Sequence, residues 1–190
     1  MTFGRPRVND VRRWYRKRAV ISALLVLLCT TGLASASWTF DVYALNHTTA
    51  TPLDTGLSLN AGQRWVITVD PLDMWRAGND VGGVREGNAD GLGNPYGHDF
   101  GFYNYAGSSF RYGTLVGQIG AGTYFEVGTA FDEVVSQSGN LKLLYWDALT
   151  PVDNSGYVTA TVTLIPAPGA LLLASLGTAI VGSLRRRQKV

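Results

Sequence analysis

The stretch richest in chemistry in this 190-residue chain is Asp147-Ala148-Leu149-Thr150-Pro151-Val152-Asp153-Asn154-Ser155-Gly156. Asp147, Thr150, Asp153 and Asn154 place two carboxylates, a hydroxyl and an amide oxygen within eight residues. A calcium ion takes about six to eight hard oxygen ligands and tolerates irregular geometry, so one loop supplying most of them is physically reasonable. The same residue types also build ordinary turns, and composition leaves both readings open. Other acidic pairs exist, Asp70 with Asp73 and Asp132 with Glu133. A glycosidase needs its two carboxylates facing each other across a cleft, which spacing in sequence does not establish. His47 and His98 are the only histidines. Neither lies beside a Gly-x-Ser-x-Gly nucleophile, and there is no histidine cluster with zinc spacing. The expectation is a binding protein, not an enzyme.

Positioning that loop requires strands on either side. Tyr157 to Leu164 alternates Val158, Ala160, Val162 and Leu164 with Tyr157, Thr159, Thr161 and Thr163. A period of two puts the apolar set on a core and the threonines toward water. Trp65, Ile67 and Val69 alternate in Arg64 to Asp70, and Leu141, Leu143 and Tyr145 do so before Asp147. Shorter strands are expected over Trp38–Leu45, Leu57–Leu59, Thr114–Ile119 and Tyr124–Val127. Asn60-Ala61-Gly62-Gln63 and Gln137-Ser138-Gly139-Asn140 read as turns. No window before residue 165 has the periodicity of an amphipathic helix. The pattern predicts an all-β fold, a seven- or eight-stranded antiparallel β-sandwich over residues 37–164, with Val158, Val162, Ile67 and Leu143 inside. Pro71 to Gly113 differs: it is rich in glycine, then in aromatics from Tyr96 to Tyr112. A loop this long is expected either to bind something or to pack its aromatics on the sandwich.

Composition is ordinary, 46% hydrophobic and 16% charged, with 23 glycines. That excludes a coiled coil, a collagen and a disordered charged chain. The net charge of +2 sums unlike pieces. Of 16 basic residues, seven lie in residues 1–36 and four in 165–190, which leaves five against 13 of the 14 acidic residues. The middle is therefore about −8, and its field repels phosphate backbones, so no nucleic-acid partner is expected.

Both ends read as addresses. Arg12-Arg13-Trp14-Tyr15-Arg16-Lys17-Arg18 precedes an apolar run from Ala19 to Leu28, then Ala34-Ser35-Ala36. That is a signal helix with cleavage after Ala36, making residues 1–36 a signal peptide. A retained anchor is the other reading, though the run is short for a bilayer. Arg12-Arg13 matches a twin-arginine signal only in part, and general secretion is the preferred route. Cys29 is the only cysteine, so the cleaved chain has neither a disulfide nor a thiolate metal site. At the other end, Ile165-Pro166-Ala167-Pro168-Gly169 leads into the uncharged Ala170 to Leu184 and then Arg185-Arg186-Arg187-Gln188-Lys189. The uncharged run makes roughly 22 Å of helix, and residues 165–184 are long enough to span with the arginines cytoplasmic.

A plain tail anchor accounts for that pattern. The order Pro166-Ala167-Pro168, apolar helix, Arg185-Arg186-Arg187 over residues 165–190 also resembles the PEP-CTERM sorting signal of Gram-negative bacteria, with Ala167 where that signal usually has Glu. The resemblance implies a transmembrane helix, processing by an exosortase, and a link to exopolysaccharide production. It implies a chain anchored in the inner membrane before processing, then at the cell surface or in the extracellular matrix.

A second resemblance covers roughly residues 38–164. Asp54-Thr55-Gly56-Leu57-Ser58-Leu59-Asn60-Ala61-Gly62-Gln63 opens it. Leu115-Val116-Gly117-Gln118-Ile119-Gly120 and Phe125-Glu126-Val127-Gly128 follow. Tyr145-Trp146-Asp147 and Asp153-Asn154-Ser155-Gly156-Tyr157 close it. This order resembles the PA-IL-like domain, a calcium-dependent galactose-binding lectin sandwich. The resemblance implies calcium on Asp147, Thr150, Asp153 and Asn154, with a main-chain carbonyl near Gly78, after Trp75. Asp153 stands where the family has asparagine, which keeps an oxygen and adds charge. The family's His-Pro sugar segment corresponds to Gly93-Asn94-Pro95-Tyr96-Gly97-His98, with Asn94 in place of the histidine. Asn94, Tyr96 and His98 are the implied carbohydrate contacts. The implied function is calcium-dependent binding of carbohydrate or exopolysaccharide by an exported protein. The alternative is a structural component of the matrix without sugar recognition.

Overall fold

A computed structural model describes residues 35–79, 82–148 and 153–166. Residues 1–34 of the signal segment, residues 167–190 of the sorting segment and Thr150 lie outside them. The compact unit they belong to is Ser35–Pro166. Twelve strands form it, all paired antiparallel: β1 (Ala36–Tyr43), β2 (Leu53–Leu59), β3 (Arg64–Val69), β4 (Trp75–Arg76), β5 (Glu86–Gly87), β6 (Phe102–Tyr105), β7 (Ser108–Arg111), β8 (Leu115–Ile119), β9 (Tyr124–Glu126), β10 (Ala130–Val134), β11 (Gly139–Tyr145) and β12 (Ser155–Ile165). No helix occurs among the described residues.

One sheet runs β10-β3-β12-β4-β5, with β1 on the other side of β12; the facing sheet runs β2-β11-β8-β9. The period-two residues meet between them. Trp65, Ile67 and Val69 from β3, Val158, Ala160 and Val162 from β12, and Leu141, Leu143 and Tyr145 from β11 are all buried in one core. Alternation puts every second side chain on the same face, so these three strands supply half of the buried residues of that core.

The strand count exceeds the expected seven or eight because Pro71 to Gly113 is not one irregular excursion. It contributes β4, β5 and the β6–β7 hairpin. The hairpin turns on Ala106 and Gly107, both at positive φ (49° and 81°), between paired Tyr105 and Ser108. Two left-handed residues match the twist of a two-residue turn. Tyr103, Tyr105 and Phe110 then lie on Val116, Leu144 and Trp146, whose side chains point away from the main core. Hence β11 is buried on both faces, not on alternate residues only. The threonine face of β12 is half-buried rather than open, with Thr159 Oγ1 donating to Asp41 Oδ1 at 2.9 Å.

Candidate functional site

The first residues of β12 decide the site. Ser155 and Gly156 pair with Arg76 and Trp75 of β4, which brings the segment after β4 against the one before β12. Trp75 fixes that junction: it is buried, its Nε1 donates to the carbonyls of Asn88 (3.1 Å) and Gly113 (2.9 Å), and it meets Tyr145 edge-on at 4.6 Å. Asp147 follows Tyr145, the last residue of β11, and Trp146; the first is buried in the main core and the second in the cluster under the hairpin. Trp146 Nε1 donates to the Tyr103 carbonyl at 2.8 Å. Two buried aromatics in succession therefore hold the backbone leading into the carboxylate.

Asn154 is the hub. It is 5% exposed. Its Nδ2 donates to Asp147 Oδ2 at 2.8 Å and to the Ala44 carbonyl at 3.4 Å, while its Oδ1 accepts from Gly78 N–H at 2.9 Å. Asp147 Oδ1 accepts from Ala148 N–H at 2.6 Å. Asp153 Oδ2 accepts from Asn79 N–H at 3.4 Å. Gly78 has φ +77°, and a Cβ there would stand 2.9 Å from Asp153 Oδ2 and 3.0 Å from Arg85 Nη1. Only glycine keeps this approach open.

These groups line a cleft of about 360 Å³, within the usual size range of ligand sites. Its polar side carries Asp147, Asp153, Asn154 and Arg85; Leu92, Phe100 and Tyr112 supply most of its apolar side. Burial raises the Asp147 carboxyl above its ordinary range. Hydrogen bonds from Asn154 and Ala148 oppose that, Asp153 adds to it, and Arg85 opposes it. A half-buried carboxylate with a second one close by favours a cation.

Four of the five expected calcium positions, Asp147, Asp153, Asn154 and Gly78, are thus in one cleft; the fifth, Thr150, is outside the described residues. The donors fit a hard cation. Asn154 Oδ1 has a second lone pair, and the two carboxylates have several not engaged by the hydrogen bonds above. Among the described residues no three His, Cys, Asp or Glu side chains form a metal-holding group, so two carboxylates, an amide oxygen and main-chain oxygens are the available set.

Asn94, Tyr96 and His98 do not line the cleft. They form a tight turn beside it, in which Gly93 N–H donates to the Tyr96 carbonyl and His98 N–H to the Val84 carbonyl, each at 2.6 Å. His98 sets its ring edge-on to Phe100 at 5.0 Å. The aromatics in the cleft wall are Tyr112 and Phe100, the latter 42% exposed. Sequence reasoning also missed Arg85. It is one of only four arginines in residues 37–164, and in an acidic unit that scarcity was the available signal.

No family model matches the chain, and no curated protein matches it by sequence. Among solved structures, the unit is similar to the N-terminal domain of EclA, described as a PllA-like lectin, with 22% identity and a TM-score of 0.50. The match covers 67% of this chain and 96% of that one. The likeness shows that the two share an antiparallel β fold.

Proposed function

We propose that this chain is an exported carbohydrate-binding protein whose cleft holds sugar with the help of a calcium ion, and whose C-terminal segment sorts it through an exosortase. One observation carries the reading. Asp147, Asp153, Asn154 and Gly78, which lie in segments some seventy residues apart, converge on one cleft with oxygens to spare for a hard cation. The lectin-like fold supports the same reading by analogy.

Asp147, Asp153, Asn154 and the Gly78 carbonyl are the groups that would hold calcium. Bound there, the ion would supply a Lewis-acidic centre for sugar hydroxyls. The chain's own contribution is to fix the donors. Asn154 orients Asp147 through Nδ2, the Trp75 anchor holds the Gly78 loop, and Phe100 offers an apolar surface to the C–H face of a ring.

Ala36 pairs with Leu164, so both ends of the unit leave from one pole, and the cleft lies at the opposite end of β12. Eleven residues of strand separate the poles by roughly 33 Å.

Glycan-array binding by the purified protein, with and without chelator, tests the proposal. Chelator-sensitive binding is the expected result. Binding to no glycan under either condition would favour a structural matrix component instead.

A further inference from the structure

The segment between β1 and β2 supports the cleft from behind. It turns back on itself at once: His47 N–H donates to the Tyr43 carbonyl at 2.9 Å, and Tyr43 N–H donates to His47 Nδ1 at 3.0 Å. Two buried threonines, Thr48 and Thr49, follow. From this turn hydrogen bonds reach the segments that carry the oxygens of the cleft. The Ala44 carbonyl accepts from Asn154 Nδ2 at 3.4 Å, the His47 carbonyl accepts from Tyr145 N–H at 2.8 Å, and Thr49 Oγ1 donates to the Asp147 carbonyl at 3.3 Å. Ala44, His47 and Thr49 do not line the cleft themselves. They hold Asn154 and Asp147, which do, and Tyr145, which leads into Asp147.

The His47 ring closes the turn in one protonation state only. A neutral imidazole with its proton on Nε2 offers Nδ1 as an acceptor. The imidazolium is a donor at both nitrogens and would set N–H against N–H at Tyr43. Among the described residues no carboxylate pairs with the ring to offset a charge, and burial favours the neutral form. The titratable groups on the segments packed against it are Asp41 and Tyr43 on β1, Tyr157 on β12, and Tyr145 and Asp147 at and just after the end of β11. Tyr43 meets the His47 ring edge-on at 5.9 Å, and Tyr157 packs on Tyr43 at 5.0 Å. Asp41 accepts from Thr159, and Asp147 from Asn154 and Ala148.

We propose that His47 is a positioning residue for the cleft and works as a proton-operated latch. Neutral, it holds the turn that supports Asn154 and Asp147; protonated, it opens the turn, and the cleft gives up its ligand. Release then follows as pH falls below the ordinary histidine value of about 6.5. The release rests on the calcium-dependent sugar-binding reading above, whereas the latch is legible in the ion-free protein. NMR titration of the purified full chain without calcium, from about pH 7.5 to about 5, tests the latch across the histidine range. In the wild type the Gly78 amide and the Asn154 side-chain amide should shift with the midpoint of the His47 ring. His47→Asn keeps an acceptor oxygen in the place of Nδ1 and takes up no proton, so those signals should lose that midpoint. Signals that ignore the His47 midpoint in the wild type, or that keep it in His47→Asn because Asp147 is what titrates, would overturn the latch whatever the cleft binds. Calcium calorimetry reads the release. Protonation of Asp147 weakens both proteins alike. Beyond that shared loss, the wild type should bind calcium about tenfold more weakly at about pH 5.5 than at about pH 7.5, a usual size for coupling between two sites, and His47→Asn should not. Equal losses would overturn the release. Absence of calcium binding at neutral pH would overturn the calcium reading and the release with it, but not a latch seen in the ion-free titration.

Discussion

Asp147 is where residue chemistry and stability meet. Its carboxyl is raised by burial, so in the ion-free protein the native state holds the proton more tightly than the unfolded chain. The sign follows from linkage: this contribution is fully present below the unfolded pKa and is lost as pH rises through the folded one. Melting curves in chelator should therefore show the wild type losing stability, relative to Asp147→Asn, as pH rises just above the ordinary carboxylate range. Calcium should reverse the loss at neutral pH. Binding of an ion to the native state alone adds about 2.7 kcal/mol when free ion is ~100 times its Kd, and Asp147→Asn should abolish most of that gain. If millimolar calcium leaves the wild-type melting temperature unchanged, the oxygen cluster is an ordinary turn. Gly78→Ala tests the approach of the loops. A left-handed alanine costs about 1–2 kcal/mol, and its Cβ would crowd Asp153 Oδ2. Differential scanning calorimetry should register that cost even without calcium.

At the scale of elements, the sandwich and its added hairpin make separate demands. Val162 on β12 is fully buried between the sheets, so Val162→Asp places an unpaired charge in the core. That costs several kcal/mol, on the order of total stability, and loss of the β-type far-UV circular dichroism spectrum is expected. Trp146 holds the hairpin: Tyr103, Tyr105 and Phe110 of the hairpin pack against its ring, as does Tyr124 of β9. Trp146→Ala should cost about 3–5 kcal/mol. It should expose residues 102–111 to hydrogen exchange before the main sheets open, because the variant leaves the core of β3, β11 and β12 in place. Uniform exchange across the unit would mean that hairpin and sandwich open together. The end of β1 is held differently. Tyr43 N–H donates to His47 Nδ1 at 3.0 Å, and burial lowers the pKa of His47. Here the neutral form is the stabilised one, so its contribution falls as pH drops below about 6.5. His47→Ala should flatten that part of the stability profile.

For the whole molecule, the arrangement of poles carries a prediction about processing. Both ends of the unit emerge beside the Ala36–Leu164 pair, and cutting either tail removes none of the described cleft residues. Mature protein from the native host should lack residues 1–36 and the segment after about Pro168, as intact mass spectrometry would reveal. A C-terminus retaining Arg185 to Arg187 would replace sorting by a plain tail anchor. Released protein should bind the same glycans as the full chain, since every described cleft residue lies between Ala77 and Asn154.

The all-β class, the core faces of β3, β11 and β12 and the candidate oxygen ligands were all legible in the sequence. A period of two places one face of a strand on the core whatever its neighbours are, and ligand chemistry belongs to the side chain itself. The β6–β7 hairpin was not legible, because its turn is Ala106-Gly107, a weaker signal than Asn-Gly, and its aromatics gain their meaning only from Trp146. Nor was the composition of the cleft. The resemblance did not single out Phe100 or Arg85, and Asn94, Tyr96 and His98, which it did single out, form the turn beside the cleft. The pairing of β4 with the start of β12, and the Ala77–Arg85 hydrogen bond beside it, bring Arg85 and Asp153 to one place. Proximity between segments distant in sequence comes from sheet register, a property of the assembled fold that no local pattern of residues contains.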